Sequence, residues 1–161
     1  MRKRLPDYAL FAAALLLASC GSETKPTPAS ESPKQAQAPK PTDESSRFPR
    51  AGLRSTMVVP NHLLDKNFMP GGTLAHYKAD KTEFDLFAVR LPSAQDAAFL
   101  LPDWNKALAG SKLVPSFGGY FGKDGTRPVF VFAKGAWVAG VAGLPEKDAD
   151  LQARALAAAL N

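Results

Sequence analysis

The chain has 161 residues, of which 45% are apolar and 22% are charged. These values are typical of a globular protein and exclude a wholly disordered or multi-span membrane protein. The formal net charge is +5, and residues 47–161 carry 14 basic and 10 acidic side chains that are interspersed along the chain. This mixture argues against nucleic-acid binding, which needs basic side chains clustered on one face.

The N-terminus has the organisation of an export signal. Residues 2–4 are Arg-Lys-Arg, and residues 8–18 form an apolar run of 11 residues that ends in small side chains. The run is too short to cross a bilayer as a helix, because that takes about 20 apolar residues. The pattern therefore predicts a signal peptide over residues 1–19.

Leu17-Ala18-Ser19-Cys20, at the end of this run, resembles the lipobox of bacterial lipoproteins. In that family the cysteine thiol receives diacylglycerol, and a dedicated peptidase then cleaves before it. The resemblance implies that Cys20 is the lipid attachment site, with acyl chains such as palmitate. Cys20 is the only cysteine, so a mature domain lipidated there has no thiol for a disulfide, a nucleophile or a metal site. The alternative is an ordinary secretory peptide that contains a cysteine.

A lipobox implies an extracytoplasmic, lipid-anchored protein, since two or more acyl chains hold a protein stably on a membrane. Gly21 stands where lipoproteins kept on the inner membrane often carry aspartate. The resemblance thus favours the outer membrane, facing the periplasm, if the host has two membranes. Residues 20–46 are rich in proline and lack large apolar side chains, which predicts a disordered tether.

Residues 47–161 predict one globular α+β domain. Five strands are expected in an antiparallel sheet, at residues 73–79, 83–91, 112–121, 128–134 and 136–143. The hairpin Pro128–Gly143 is apolar on both faces, which predicts a position at the centre of the sheet.

Two main helices complete the predicted order β-β-α-β-β-β-α, and we expect both to pack on one face of the sheet. The first helix is expected to start at Ser93, with Asp96 in a capping box, and to be kinked or broken at Pro102. The second is expected from Pro145 to Leu160. A short helix is also expected after Pro60.

Few residues have the types and spacing that catalysis or metal binding requires. His62 and His76 are the only histidines, and His62 with Asp65 matches no zinc signature. Asp80, Glu83 and Asp85 are paired-carboxylate candidates for acid–base chemistry, although a solvated hairpin end explains them more simply. No metal or cofactor is expected.

The glycine-rich run Gly118–Gly125 leads into a strand and lacks the ending of a phosphate-binding loop, so we interpret it as strand, bulge and turn. Ser116 precedes this run but lies in no nucleophile motif. Tyr120, Phe121 and Trp137 are either core residues or an exposed aromatic platform for sugars or a partner protein.

The folded part resembles uncharacterised domains of bacterial lipoproteins, through GGYFGKDG, the PVFVFAKGAWVAGVAG hairpin and the final helix. That resemblance implies no activity. We expect a non-enzymatic binding or structural role in the cell envelope, with an envelope protein or a glycan as the partner. The alternative is an envelope hydrolase that uses carboxylates on cell-wall or lipid substrates. A histidine within hydrogen-bond reach of two carboxylates would favour that alternative.

Overall fold

The computed structural model describes residues 40–161, which form one seven-stranded antiparallel sheet and two α-helices. Cys20, the predicted signal peptide and most of the predicted tether lie outside the described residues. The α+β class and the antiparallel sheet are confirmed, and the sheet has two strands more than expected. The elements are β1 (Leu53–Asn61), β2 (Pro70–Ala79), β3 (Thr82–Arg90), α1 (Ala94–Ala107), β4 (Ala109–Val114), β5 (Gly119–Asp124), β6 (Arg127–Lys134), β7 (Trp137–Ala142) and α2 (Glu146–Ala159).

The sheet consists of two meanders that meet at its centre. Its strand order is β1-β2-β3-β7-β6-β5-β4, so each strand within a meander pairs with its chain neighbour. Helix α1 carries the chain from β3 to the far edge, where β4 begins. The second meander then returns until β7 pairs with β3, as predicted for the apolar hairpin at the centre.

The two additional strands arise at places where side-chain polarity is a poor guide. Strand β1 lies at the sheet edge and exposes most of its side chains, so it lacks the alternation of a half-buried strand. The short helix expected after Pro60 is a 3₁₀ turn at Leu63–Asp65. The predicted strand 112–121 is divided into β4 and β5 by a turn in which the N–H groups of Phe117 and Gly118 both donate to the carbonyl of Val114.

The two helices cover opposite faces of the sheet, so the expectation that both pack on one face is wrong. Side chains of β6 alternate between two cores, one shared with each helix. The α1 core includes Ala97, Trp104, Val129 and Val131, and the α2 core includes Phe130, Phe132, Ala149, Ala153 and Leu156. A central strand with bulky apolar groups on both faces needs cover on both, and one helix on each side provides it.

Helix α1 begins as its sequence predicts. The Asp96 N–H donates to Ser93 Oγ at 3.1 Å, which satisfies a backbone group left unpaired at the helix start. The helix runs through Pro102 as one element, so of the kink or break expected there, the break into two short helices does not occur. Pro102 and Ala98 are exposed, and water can therefore bond the Ala98 carbonyl that the proline leaves without a donor.

Packing against the sheet starts before residue 47. The Glu44 N–H donates to Thr73 Oγ1 at 3.0 Å, and the Glu44 carboxylate lies 3.0 Å from Arg47 Nε. Phe48 follows as a buried member of the α2 core. Composition alone places residues 42–46 in the tether, whereas these contacts hold Glu44 on the sheet.

Truncating the centre of β6 tests how strongly the sheet depends on it. Phe130 is 1% exposed and Phe132 is fully buried. Replacing either with alanine should lower the free energy of unfolding by about 3–5 kcal/mol, because it leaves a cavity in a packed core. Phe99→Ala is the matched control: Phe99 is 63% exposed, so its truncation should change stability by less than about 0.5 kcal/mol. Denaturant melts decide the matter, and equal small changes in all three variants would contradict this role.

The stability should also depend on the ionisation of Tyr77. The buried Tyr77 ring stacks on Phe84 at 5.1 Å between centroids, and its hydroxyl donates to the Pro49 carbonyl at 2.7 Å. Burial raises the pKa of Tyr77 to about 12, with Arg50 opposing the shift. The folded state thus favours the neutral phenol. Its contribution is complete below the ordinary pKa of about 10 and is lost as the pH rises to 12.

Comparison of Tyr77→Phe with the wild-type chain isolates this effect, because phenylalanine cannot ionise. The difference in unfolding free energy between the two should shrink or change sign across pH 10–12. Thermal melts over that range, with phenolate absorbance to follow ionisation, measure it. A difference that stays constant would show that Tyr77 ionises as easily folded as unfolded.

Candidate functional site

His76, Asp85 and Arg127 form a polar cluster on the sheet, which we call the Asp85 cluster. His76 in β2 and Asp85 in β3 are direct register partners. His76 Nδ1 lies 2.8 Å from Asp85 Oδ1, and Arg127 Nη2 donates to Asp85 Oδ2 at 2.6 Å. The same Arg127 nitrogen donates to the Ala142 carbonyl at 3.2 Å. Each carboxylate oxygen of Asp85 therefore has a donor.

In the Asp85 cluster, one carboxylate and not two lies within hydrogen-bond distance of a histidine. Glu83 Oε2 lies 4.0 Å from His76 Nε2, which is beyond hydrogen-bond reach. Glu83 instead bonds Lys78 at 3.1 Å, and this bond lowers the pKa of its carboxyl. The His76 side chain is 44% exposed. One carboxylate orients the ring, and a second stands near it without a hydrogen bond.

A serine also lies beside the Asp85 cluster, on the neighbouring strand. Ser55 of β1 is the register partner of His76, so a hydroxyl, an imidazole and a carboxylate lie on three adjacent strands. Nucleophilic catalysis requires a hydrogen bond between the hydroxyl and the ring, together with donors for an oxyanion. Within residues 40–161, the hydrogen bond that the His76 ring makes is the one that Asp85 accepts. Sequence spacing could not reveal Ser55 or Arg127 as neighbours, because they are far from His76 along the chain.

The other predicted site residues do not join this cluster. His62 and Asp65 are exposed and lie on the connection between β1 and β2, both with positive backbone φ angles. Trp137 is 3% exposed, with Arg47 and Arg90 within 6 Å of its ring centroid, so it does not offer an open aromatic surface.

The glycine-rich run Gly118–Gly125 forms a turn, strand β5 and a second turn, which agrees with the strand and turn interpreted from its sequence. The expected bulge is not in this run, because β5 pairs with β6 in continuous register. Tyr120 and Phe121 lie in β5 and are half-buried. At Gly119 a Cβ atom would overlap the Val131 carbonyl oxygen, so the glycine permits close contact between β5 and β6. Ser116 lies in the turn before β5.

A crevice lies where the turn between β2 and β3 meets the start of α2, and we call it the tip crevice. Its volume is about 420 Å³, within the range of small-molecule sites. Phe84 and Leu144 provide buried apolar lining, and Leu151 of α2 is an exposed wall. The carboxylates of Asp80 and Asp148 are the charged groups in its lining. Asp80 was a sequence candidate, whereas Asp148 comes from the other end of the domain and was missed.

Within residues 40–161, no three His, Cys, Asp or Glu side chains are grouped as a metal ion would need, and no helix has the length and apolarity to cross a membrane. Comparison with known proteins finds no matching family model, no matching curated protein and no matching solved structure.

Removing the charge of Asp85 should destabilise the domain, because this mostly buried carboxylate would no longer pair with Arg127, whose side chain is 43% exposed. The Asp85 side chain is 13% exposed. Asp85→Asn should lower the free energy of unfolding by about 1–3 kcal/mol. Asp150→Asn is the control, since Asp150 also bonds an arginine, Arg154, on the helix surface, where such pairs contribute about 0.3–0.5 kcal/mol. Urea melts measure both, and an Asp85 effect no larger than the control would contradict the structural role of the cluster.

Proposed function

We propose that the protein is a membrane-anchored extracytoplasmic lipoprotein whose folded domain has a non-enzymatic binding role in the cell envelope. The anchor is supported by Leu17-Ala18-Ser19-Cys20, by the positive segment before the apolar run, and by the absence of any other cysteine. Lipid on Cys20 holds the domain at the membrane, and the Pro-rich residues after it provide reach. In a host with two membranes, Gly21 supports the outer membrane as the destination.

The tip crevice is the observation that carries the binding role. It combines buried apolar lining, an exposed apolar wall and two carboxylates, which is how small-molecule and side-chain sites are built. Its lining contains no histidine, cysteine or serine, and Asp80 and Asp148 are its acid–base groups. The apolar side chains beside these carboxylates support the binding of a ligand.

The Asp85 cluster is the part of the described domain that comes nearest to the hydrolase alternative. Its geometry supports a structural role better. Both carboxylate oxygens of Asp85 have a hydrogen-bond partner, and Arg127 also donates to the Ala142 carbonyl of β7. A hydrolase would need a polarised nucleophile beside His76 and a pocket for its substrate. Ser55, His76 and Asp85 are residue types that such a nucleophile would use, but no hydrogen bond joins Ser55 to the His76 ring.

Replacing Cys20 with alanine tests the anchor. Cys20→Ala should abolish lipid attachment and release the protein from the membrane fraction, because only a thiol accepts the lipid. Ser22→Ala, two residues further on, is the matched control and should stay membrane-bound. Fractionation of cells expressing each variant, with immunoblotting, is the measurement. A Cys20→Ala protein that is processed and retained like the wild type would contradict the lipoprotein assignment.

A further inference from the structure

In the tip crevice one apolar side chain, Leu151, is left uncovered by the fold, beside two that are almost wholly buried, Phe84 and Leu144. Phe84 and Leu144 belong to the α2 core but also face the crevice. Leu151 is 59% exposed and lies off the buried face of α2, which consists of Ala149, Ala153 and Leu156. A single exposed leucine is ordinary on a protein surface. Here it adjoins buried apolar groups in a concave site, so it can contact a hydrocarbon body.

The charge of the crevice is negative on both sides. Asp80 lies on the turn after β2, and Asp148 lies in the first turn of α2. Neither carboxylate has an ion-pair partner within residues 40–161, and no lysine or arginine lines the crevice. Their chain neighbours Lys81 and Lys147 are outside the lining.

The start of α2 does not neutralise this charge. A helix N-terminus is positive and would attract an anion. The first turn of α2 contains two acids, Glu146 and Asp148, that already oppose it. Glu146 also bonds Lys112 at 2.6 Å, outside the crevice. Glu146 is thus paired elsewhere, and Asp148 is the acid of this turn that lines the crevice with Asp80.

We infer that the tip crevice binds a small organic cation, an ammonium or guanidinium group that carries a hydrocarbon body of several carbons. The cationic head lies between Asp80 and Asp148, and the body contacts Phe84, Leu144 and Leu151. The volume of about 420 Å³ admits a whole small molecule. This inference rests on the proposed binding function and names the chemical class of the ligand.

Three probes of equal length separate charge recognition from simple hydrophobic contact. Hexylammonium, hexanol and hexanoate share one hydrocarbon body and differ in the charge of the head. The full-length protein in nonionic detergent micelles is titrated with each, and amide chemical shifts are followed by NMR. Hexylammonium should bind most tightly and hexanoate most weakly, with shifts concentrated at Asp80, Thr82, Asp148 and Leu151.

Charge-removing variants test the two carboxylates. Asp80→Asn and Asp148→Asn should each lower the hexylammonium affinity by about fivefold, the loss expected for one ion pair in contact with water. Asp150→Asn lies on the same helix outside the crevice and should leave the affinity unchanged.

Three results would overturn the inference. They are equal affinity for hexylammonium and hexanol, shifts located away from the crevice, or an affinity that neither crevice variant lowers. These failures would leave the lipid anchor intact, since fractionation of Cys20→Ala measures that property separately. Conversely, loss of the anchor would leave amine binding in the crevice unaffected, so failure of the proposed function is recognised independently.

Discussion

The pairing of β3 with β7 is the interaction on which the rest of the fold depends, because it joins the two meanders into one sheet. Gly140 of β7 is the register partner of Phe87 in β3, and the Phe87 ring covers it. A Cβ atom there would overlap the Phe130 carbonyl oxygen and lie 2.5 Å from the Phe87 ring. Only glycine permits this approach without displacing backbone or core. The pairing also aligns the apolar side chains of β6 and β7 with those of β3 on both faces, which lets α1 and α2 each cover one core.

The positions of the Asp85 cluster and of the tip crevice both follow from the pairing of β3 with β7. Asp85 lies in the first half of β3, opposite Ala142, the last residue of β7. Arg127 of β6 donates to the Asp85 carboxylate and to the Ala142 carbonyl. The chain then turns at Gly143, whose backbone angle φ is +101°, and α2 begins beside the turn of the β2–β3 hairpin. The tip crevice is therefore a consequence of where β7 ends. Its buried side chains, Phe84 and Leu144, belong to the α2 core, and its carboxylates belong to two segments brought together by the sheet.

The sequence predicts those parts of the structure whose signals are local. The hairpin Pro128–Gly143 is apolar on both faces, so its central position follows from burial alone, and the Ser93 cap follows from a spacing of three residues. Strand β1 is missed because an edge strand need not alternate. The helices lie on opposite faces because their apolar faces pack against different cores. The pattern of apolar residues within one helix does not show which face of the sheet that helix will cover. Arg127 and Asp148 are missed for the same reason, since their partners are distant in the chain and only the register brings them together.

The central claim is that a lipid on Cys20 anchors a binding domain outside the cytoplasm. The mass of the native protein, extracted from membranes with detergent, tests it most directly. The account predicts a polypeptide that begins at Cys20 and carries the added mass of a diacylglyceryl group, with its thiol unavailable to alkylating reagents. A chain that retains residues 1–19, or a Cys20 thiol that reacts freely, would contradict it.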